Sequence, residues 1–503
     1  MKSLDSQPGL TQVVCYIRMV QQAAAQSNLE QVNRRMWKRT PNEVTTARGG
    51  EVAVGMGLVG RGCMKSLVVW WHLCCIVAAS SDGLRLPQTA APLRRSFPFL
   101  ALWNAPSELC ASKFGVALNL ASFPMVSTTR RSPFQQDVRI FFNGMIGRYP
   151  HYDGPSGREV NGGVPQQADM AGHLLKAGLD IGQLIPSNTS RGLAVIDWES
   201  WRPVWSRNWH RMSVYQRQSV ELVQQRDLSL TRPNATAIAK AEFEEAARTF
   251  LVKSLQLAKK LRPRQLWGFY LFPNCYNNNM GRMRGLNRTY TGRCPQRAVS
   301  RNNELAWLWR ESTALYPSVY LPKAIQSTDK AKLFVRHQVQ EAMRVAALSR
   351  GQHTIPVYVY TRVVYRDAFN ESLSQADLVS TIGESAALGA AGIVVWESSN
   401  TTINNHTCNM LQSHMDDVLN HYVLNVTQAT RLCSRELCGS KGRCLRRHWD
   451  SDDYLHLNPN HFKIRRKANG RLQVTGRASP EDLLEMAERF TCQCYAGKAC
   501  NSQ

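Results

Sequence analysis

Leu193-Ala194-Val195-Ile196-Asp197-Trp198-Glu199-Ser200-Trp201-Arg202-Pro203 is the stretch on which the reading of this chain turns. Four apolar residues lead straight into two acids two positions apart. On a strand, side chains alternate between faces, so Val195, Asp197 and Glu199 share one face and Ile196 and Trp198 take the other. Such a segment suits a strand with helices packed against its apolar side. The acids then point the other way, at the strand's C-terminal end.

Working outward, short apolar runs alternate with amphipathic stretches over residues 97–398. The expected strands are Phe97–Asn104, Val138–Asn143, Leu193–Glu199, Leu266–Phe272, Ser318–Leu321, Pro356–Thr361 and Gly392–Trp396. Helical periodicity marks Ala237–Leu261, Asn303–Leu315, Phe334–Leu348 and Gln375–Leu388. Strand–helix alternation on this scale predicts parallel βα units, and about seven of them predict an α/β fold with a (β/α) barrel. An open doubly wound sheet is the alternative. It usually carries a glycine-rich loop after its first strand, and Trp103-Asn104-Ala105-Pro106 is not one.

Residues 431–503 read differently. Cys433, Cys438, Cys444, Cys492, Cys494 and Cys500 are closely spaced among Gly439, Gly442 and Gly497. This describes a small disulfide-rich module, similar to an epidermal-growth-factor-like (EGF-like) unit with a long insertion, too small to be held by apolar burial alone.

Upstream, Met64 to Ala79 has a short charged front, an apolar stretch and small residues to follow, so 64–81 is expected to be a signal peptide. Its position 64 residues in favours translation beginning at Met64, with an internal anchor in a full-length chain as the alternative, and 1–63 is left as an unassigned N-terminal extension. Ten of the fourteen cysteines lie beyond the signal, an even set fit for disulfides. No Cys-x₂-Cys pair repeats at zinc spacing, and no metal is expected. Asn188, Asn234, Asn287, Asn370, Asn400, Asn405 and Asn425 open glycosylation tripeptides. Together these point to a secreted glycoprotein in an extracellular, lysosomal or acrosomal lumen. No apolar run reaches transmembrane length, and the chain closes on Cys500-Asn501-Ser502-Gln503 without the apolar tail of a lipid-anchor signal.

The net charge is +25, and +21 of it falls after residue 63. A basic body of this kind suits a polyanionic partner, and a secreted setting sets nucleic acid aside in favour of acidic polysaccharide. At 43% hydrophobic the chain has too large a core for disorder.

Asp197 and Glu199 on one strand end disfavour each other's ionisation, so one is expected to hold a proton to higher pH, as a general acid must. The plain alternative is a solvated acid pair. Ordinary glycosidases set their two carboxyls on opposite sides of the scissile bond, roughly 5–5.5 Å apart when retaining and 6.5–9.5 Å when inverting. Two acids on one strand approach from one side. They fit a substrate that brings its own nucleophile, such as a 2-acetamido group. Trp267-Gly268-Phe269-Tyr270, Val319-Tyr320 and Val395-Trp396 put aromatic rings at other expected strand ends, where they can hold a sugar.

Val195-Ile-Asp-Trp-Glu199, Trp201-Arg-Pro203, Leu266-Trp-Gly-Phe-Tyr270, Tyr316-Pro-Ser-Val-Tyr320 and Gly383-Glu-Ser-Ala-Ala-Leu-Gly-Ala390 resemble the animal hyaluronidases (glycoside hydrolase family 56) over residues 98–500, with 370–400 and 445–460 most like the sperm-surface and chondroitin-hydrolysing branches. The resemblance implies a distorted TIM-like (β/α) barrel over 97–430 followed by the EGF-like module. It implies endo-hydrolysis of the β-1,4 bond after N-acetylhexosamine in hyaluronan and chondroitin, by a monomer without a cofactor. By the same resemblance Glu199 is the proton donor, Asp197 orients the attacking acetamido group, Tyr270 and Trp396 hold that group, Tyr320 meets the neighbouring sugar, and Arg202 organises the groove. The implied disulfides are Cys110–Cys408, Cys275–Cys294, Cys433–Cys444, Cys438–Cys492 and Cys494–Cys500. Three positions depart from the family pattern: Phe142 stands for the usual Tyr, Asn274 for Asp, and Gln338 for Arg. A chondroitin-preferring hydrolase and a catalytically weak adhesion protein for the same polymers are the alternatives.

Overall fold

The computed structural model describes residues 86–127, 137–154, 156–278, 290–349 and 351–500. The N-terminal extension, the signal segment 64–81 and Asn287 lie outside the described residues.

Seven parallel strands follow the expected order: β1 (Leu100–Trp103), β2 (Met125–Val126), β3 (Val138–Phe141), β4 (Gly192–Ile196), β5 (Gln265–Phe269), β6 (Tyr358–Thr361) and β7 (Gly392–Val395). They form two parallel sheets, ordered β2-β1-β7-β6 and β3-β4-β5. Isolated parallel bridges Tyr270–Tyr316, Leu315–Val357 and Ser318–Tyr360 run from the end of β5 towards β6. On the other side, Ser127 Oγ accepts from Val138 N–H at 2.8 Å where β2 gives way to β3.

Two expectations need correction. Ser318–Leu321 is not a strand: Pro317 has no N–H to donate, so the ladder beside β6 is reduced to single bridges. Strand β2 was not expected, and its two residues are too few to carry a period. The helices extend Met170–Leu184, Ser213–Arg226, Arg232–Leu261, Asp329–Ala346 and Asn420–Glu436, of which the first two and the last were not anticipated. Asn303–Leu315 divides into short helices Gln296–Glu304 and Ala306–Glu311. Gln375–Leu388 is interrupted by a π-helical turn at Val379–Gly383.

Strand alternation divides the apolar residues into two cores. Leu100 and Leu102 of β1, Val138 of β3, Leu193 and Val195 of β4, Tyr358 and Tyr360 of β6 and Val394 of β7 pack together, joining both sheets on one inner face. Trp103, Phe141, Ala194, Ile196, Trp267, Phe269, Val359 and Ile393 point the other way, into the layer shared with the helices. Each large apolar side chain so buried contributes roughly 1.5–3 kcal/mol.

All five disulfides pair as the resemblance implied. Cys110–Cys408 joins residues 298 apart, the long-loop case in which chain-entropy arguments give the largest stabilisation, on the order of 4–5 kcal/mol. Beyond residue 436, β8 (Gly442–Arg446) pairs antiparallel with β11 (Phe490–Cys494), and β9 (Phe462–Arg466) with β10 (Leu472–Gly476). Cystines 433–444 and 438–492 sit in a small core with Leu455, Leu457, Met486 and Phe490. Its sulfurs are covalently paired and leave no thiolate to bind a metal.

This segment is held to the rest by a buried acid. Glu384, directly after the π-helical turn, is wholly inaccessible. Its Oε1 accepts from Arg336 and from Tyr454 Oη (2.9 Å), and its Oε2 from Arg446 Nη1 (3.2 Å). Gly383 makes room: a Cβ there would sit 2.5 Å from Tyr422 Oη. At the other end of the chain, Thr89 donates its N–H to Cys494 O and accepts from Ala496 N–H. No helix among the described residues is long and apolar enough to cross a membrane.

Candidate active site

Strand β4 hydrogen-bonds until Ile196, and Asp197 continues it, donating its N–H to Phe141 O at 2.9 Å. Tyr270 does the same after β5, donating to Ile196 O at 2.9 Å. The alternation read from the sequence holds through the pair. Trp198 turns to the helix side and stacks on Tyr149 with centroids 4.7 Å apart, edged by Phe250 and Phe269. This clamp fixes the backbone so that Asp197 and Glu199 face the opposite way.

Both acids line a cavity of about 200 Å³ with Tyr270, Tyr320, Tyr360, Arg362 and Trp396. They also line one end of a wider cleft of about 880 Å³ with Phe142, Tyr152, Asp153, Arg211 and Tyr215. Of the aromatic residues singled out in the sequence, Tyr270, Tyr320 and Trp396 line the smaller cavity and Phe142 the wider cleft. Tyr320 and Trp396 stack at 6.2 Å with their planes within 14°.

The two carboxyls differ in setting. Asp197 is largely buried, its Oδ1 has no hydrogen-bond partner among the described residues, and burial, reinforced by the neighbouring Glu199 charge, pushes its pKa up to about 7 despite Arg202. The Glu199 side chain is 46% exposed and meets Arg202 Nη2 at 3.3 Å through Oε2. Arg202 also donates from Nη1 to Glu199 O at 2.9 Å. Arg202 itself is fixed by Asn208, whose amide both accepts from Arg202 N–H and donates to Arg202 O. Burial, with the Glu199 charge beside it, thus suppresses the ionisation of Asp197.

A stability prediction follows from the sign of that shift. The folded state binds a proton that the unfolded chain releases above the ordinary Asp value of 3.8. The associated stability is complete below that value and is lost as pH rises towards about 7. Asp197→Asn should accordingly melt higher than the native protein at pH 7.5, by roughly 2–4 °C, and show no such gain at pH 3.5. Calorimetry at the two pH values checks this.

Arg362 is a site residue that the sequence reading missed. It is buried against the rings of Tyr320 (4.8 Å), Trp396 (5.1 Å) and Phe369 (5.6 Å), and it faces the acid cavity. The signal was available: Tyr358, Tyr360 and Arg362 are spaced by two along β6 and its continuation, so an inward Tyr358 implies an inward Arg362. The turn carrying it is held by Glu397, which accepts from Val363 N–H (2.7 Å) and Val364 N–H (3.3 Å). Complete burial raises the Glu397 pKa to about 8.

Asn274 stands apart from the acid pair. It lines neither space around the acids; it lies in a narrow slot on the far side of Arg202, its Oδ1 accepting from Tyr276 N–H at 2.7 Å. Gln338, another departure, brackets it, accepting from Cys275 N–H and donating to Pro273 O. Two departures that each remove a charge therefore meet at one point. Of the glycosylation asparagines, Asn188, Asn234, Asn370, Asn400 and Asn405 are exposed. Asn425 is half-buried, and its Oδ1 accepts from Leu457 N–H at 3.0 Å.

An acid pair beneath aromatic walls at the C-terminal ends of parallel strands defines a glycoside hydrolase site. The hyaluronidase family model matches residues 88–503, and the chain belongs to that family. It is 44% identical over 420 residues to hyaluronidase PH-20 of Homo sapiens, covering 84% of this chain and 81% of that protein. It is 42% identical over 448 residues to hyaluronidase-4 of Homo sapiens, covering 88% and 92% respectively. Among solved structures, bee venom hyaluronidase in complex with a hyaluronic acid tetramer matches with a TM-score of 0.57 at 28% identity. That match spans 65% of this chain and 98% of the other. The chain is an enzyme of the hyaluronidase type.

Proposed function

We propose that the protein cleaves hyaluronan internally at the β-1,4 bond after N-acetylhexosamine, and accepts chondroitin, by a retaining, substrate-assisted route. The observation that carries this reading is the placement of Asp197 and Glu199 side by side in one cavity walled by Tyr270, Tyr320 and Trp396. Glu199, the more exposed acid, protonates the departing sugar oxygen and then deprotonates the incoming water. Asp197 meets the N–H of the 2-acetamido group, whose oxygen attacks its own anomeric carbon. Tyr270 and Trp396 close around that group, with Tyr320 and Arg362 behind. Phe142 lies under the sugars on the other side. Asp197, which meets the acetamido group, changes charge near pH 7, so the activity profile is expected to break there.

An inner core shared by both sheets supports a distorted (β/α) barrel over 97–430, with 431–503 as an EGF-like module. Five cystines and the exposed glycosylation asparagines support passage through an oxidising, secretory compartment.

The direct test incubates the purified protein with hyaluronan and with chondroitin sulfate from pH 4 to pH 8 and sizes the products. Even-numbered oligosaccharides released with a β-configured new reducing end are expected. An α anomer seen by NMR at early times would exclude the acetamido route. Arg362→Ala is expected to lower kcat/KM about tenfold, since it removes the cation between Tyr320 and Trp396. Steady-state assays on short oligosaccharides measure it.

A further inference from the structure

The slot beyond Arg202 has a composition that the acid pair does not explain. Its polar lining is Arg202, Arg207, Arg301, Asn274, Asn302 and Tyr276, with no acid among its walls. Arg207 lies flat on Tyr276, its guanidinium carbon 3.3 Å from the ring centroid, which aims the donor fork. Burial and the facing Arg301 charge hold Arg207 below its ordinary pKa. Neither Arg207 nor Arg301 has a carboxylate ion-pair partner among the described residues. Glu244 and Glu304 lie in the adjoining groove beyond Arg301, and Glu244 is engaged by Trp205 N–H at 2.8 Å. Asn274, where the family pattern has an acid, keeps the slot free of negative charge.

Two guanidiniums brought together in a partly desolvated recess repel each other, and the arrangement is relieved when an anion docks between them. The recess, about 20 Å³, is too narrow for a sugar ring and has room at its mouth for no more than the oxygens of one anionic group. Its near wall, Arg202, holds Glu199 on the opposite side. We propose that Arg207 and Arg301 form an oxyanion subsite that takes one sulfate ester or uronate carboxylate of the polysaccharide flanking the scissile bond. The proposal rests on the polysaccharide-hydrolase reading of the cleft.

The test uses the full chain with Arg207→Gln, Arg301→Gln and the conservative Arg207→Lys. Binding is measured in a Glu199→Gln background, so that affinity is read without cleavage, and kcat and KM are measured in the active background. The probes are hyaluronan, unsulfated chondroitin and chondroitin sulfate. Each Gln variant is expected to bind about tenfold more weakly with kcat unchanged, and Arg207→Lys should recover part of the loss. Loss confined to chondroitin sulfate assigns the sulfate ester, and equal loss on all three assigns the carboxylate. Unchanged affinity for every polymer in both Gln variants overturns the subsite. If the native protein cleaves none of the polymers while the binding loss persists, the hydrolase reading fails and the subsite stands.

Discussion

Glu199→Gln is expected to reduce turnover of hyaluronan by about 10²–10⁴-fold while leaving polymer binding close to native, because an isosteric amide keeps the shape of the site and cannot deliver a proton. Its surroundings favour a clean result. The side chain is half-exposed, and a Gln amide oxygen can still accept from the buried Arg202, whose guanidinium is held as well by the residue-199 carbonyl. Melting temperature should therefore stay within a degree or two of native. Reducing-end assays, paired with calorimetry and a binding measurement, separate the outcomes. Native turnover in this variant would remove Glu199 from the mechanism.

The second large effect concerns stability. Glu384→Ala should cost about 3–5 kcal/mol, the range for removing one partner of a buried ion pair, because Arg336 and Arg446 would both be left facing an apolar void. Glu384→Gln should be milder but still destabilising, since it retains the contact with Tyr454 and loses the charge. The loss should appear first as proteolytic sensitivity within 446–489, the segment whose Arg446 and Tyr454 the acid holds. Urea melts and limited proteolysis measure it. An unchanged denaturation midpoint for Glu384→Ala would refute the anchoring role. Neither Arg336 nor Arg446 lines the acid cavity, so residual folded protein should keep its pH profile.

Much of this architecture can be read from the residues. Six of the seven parallel strands overlap expected apolar runs, and β1, β4, β6 and β7 are buried on both faces; in β4, Gly192 through Ile196 are all buried. The facing of Asp197 and Glu199 follows from alternation alone, and Trp198 confirms it by taking the helix side. What escaped was short or non-local. Met125–Val126 has no period to detect. Arg362 reads as a loop cation until β6 is known to continue inward. Asn274 sits only four residues beyond Tyr270, but the chain turns there: Leu271 and Tyr276 adopt positive φ, which redirects the intervening side chains behind Arg202. Glu384 could be quoted within a family motif, yet its role depends on Arg446 and Tyr454, more than sixty positions downstream. The pairing of the cystines came from likeness to a family; ten half-cystines alone leave many connectivities open.

Thr89 exchanges two backbone hydrogen bonds with the strand end at Cys494 and Ala496. During synthesis, its partners emerge long after it does. The earliest described stretch must wait unpaired while about four hundred residues emerge, each at a pace of roughly 5–20 per second. This contact thus closes only once β11 has emerged. Chains cut short before the last cystine would expose that waiting edge to chaperones or to another copy.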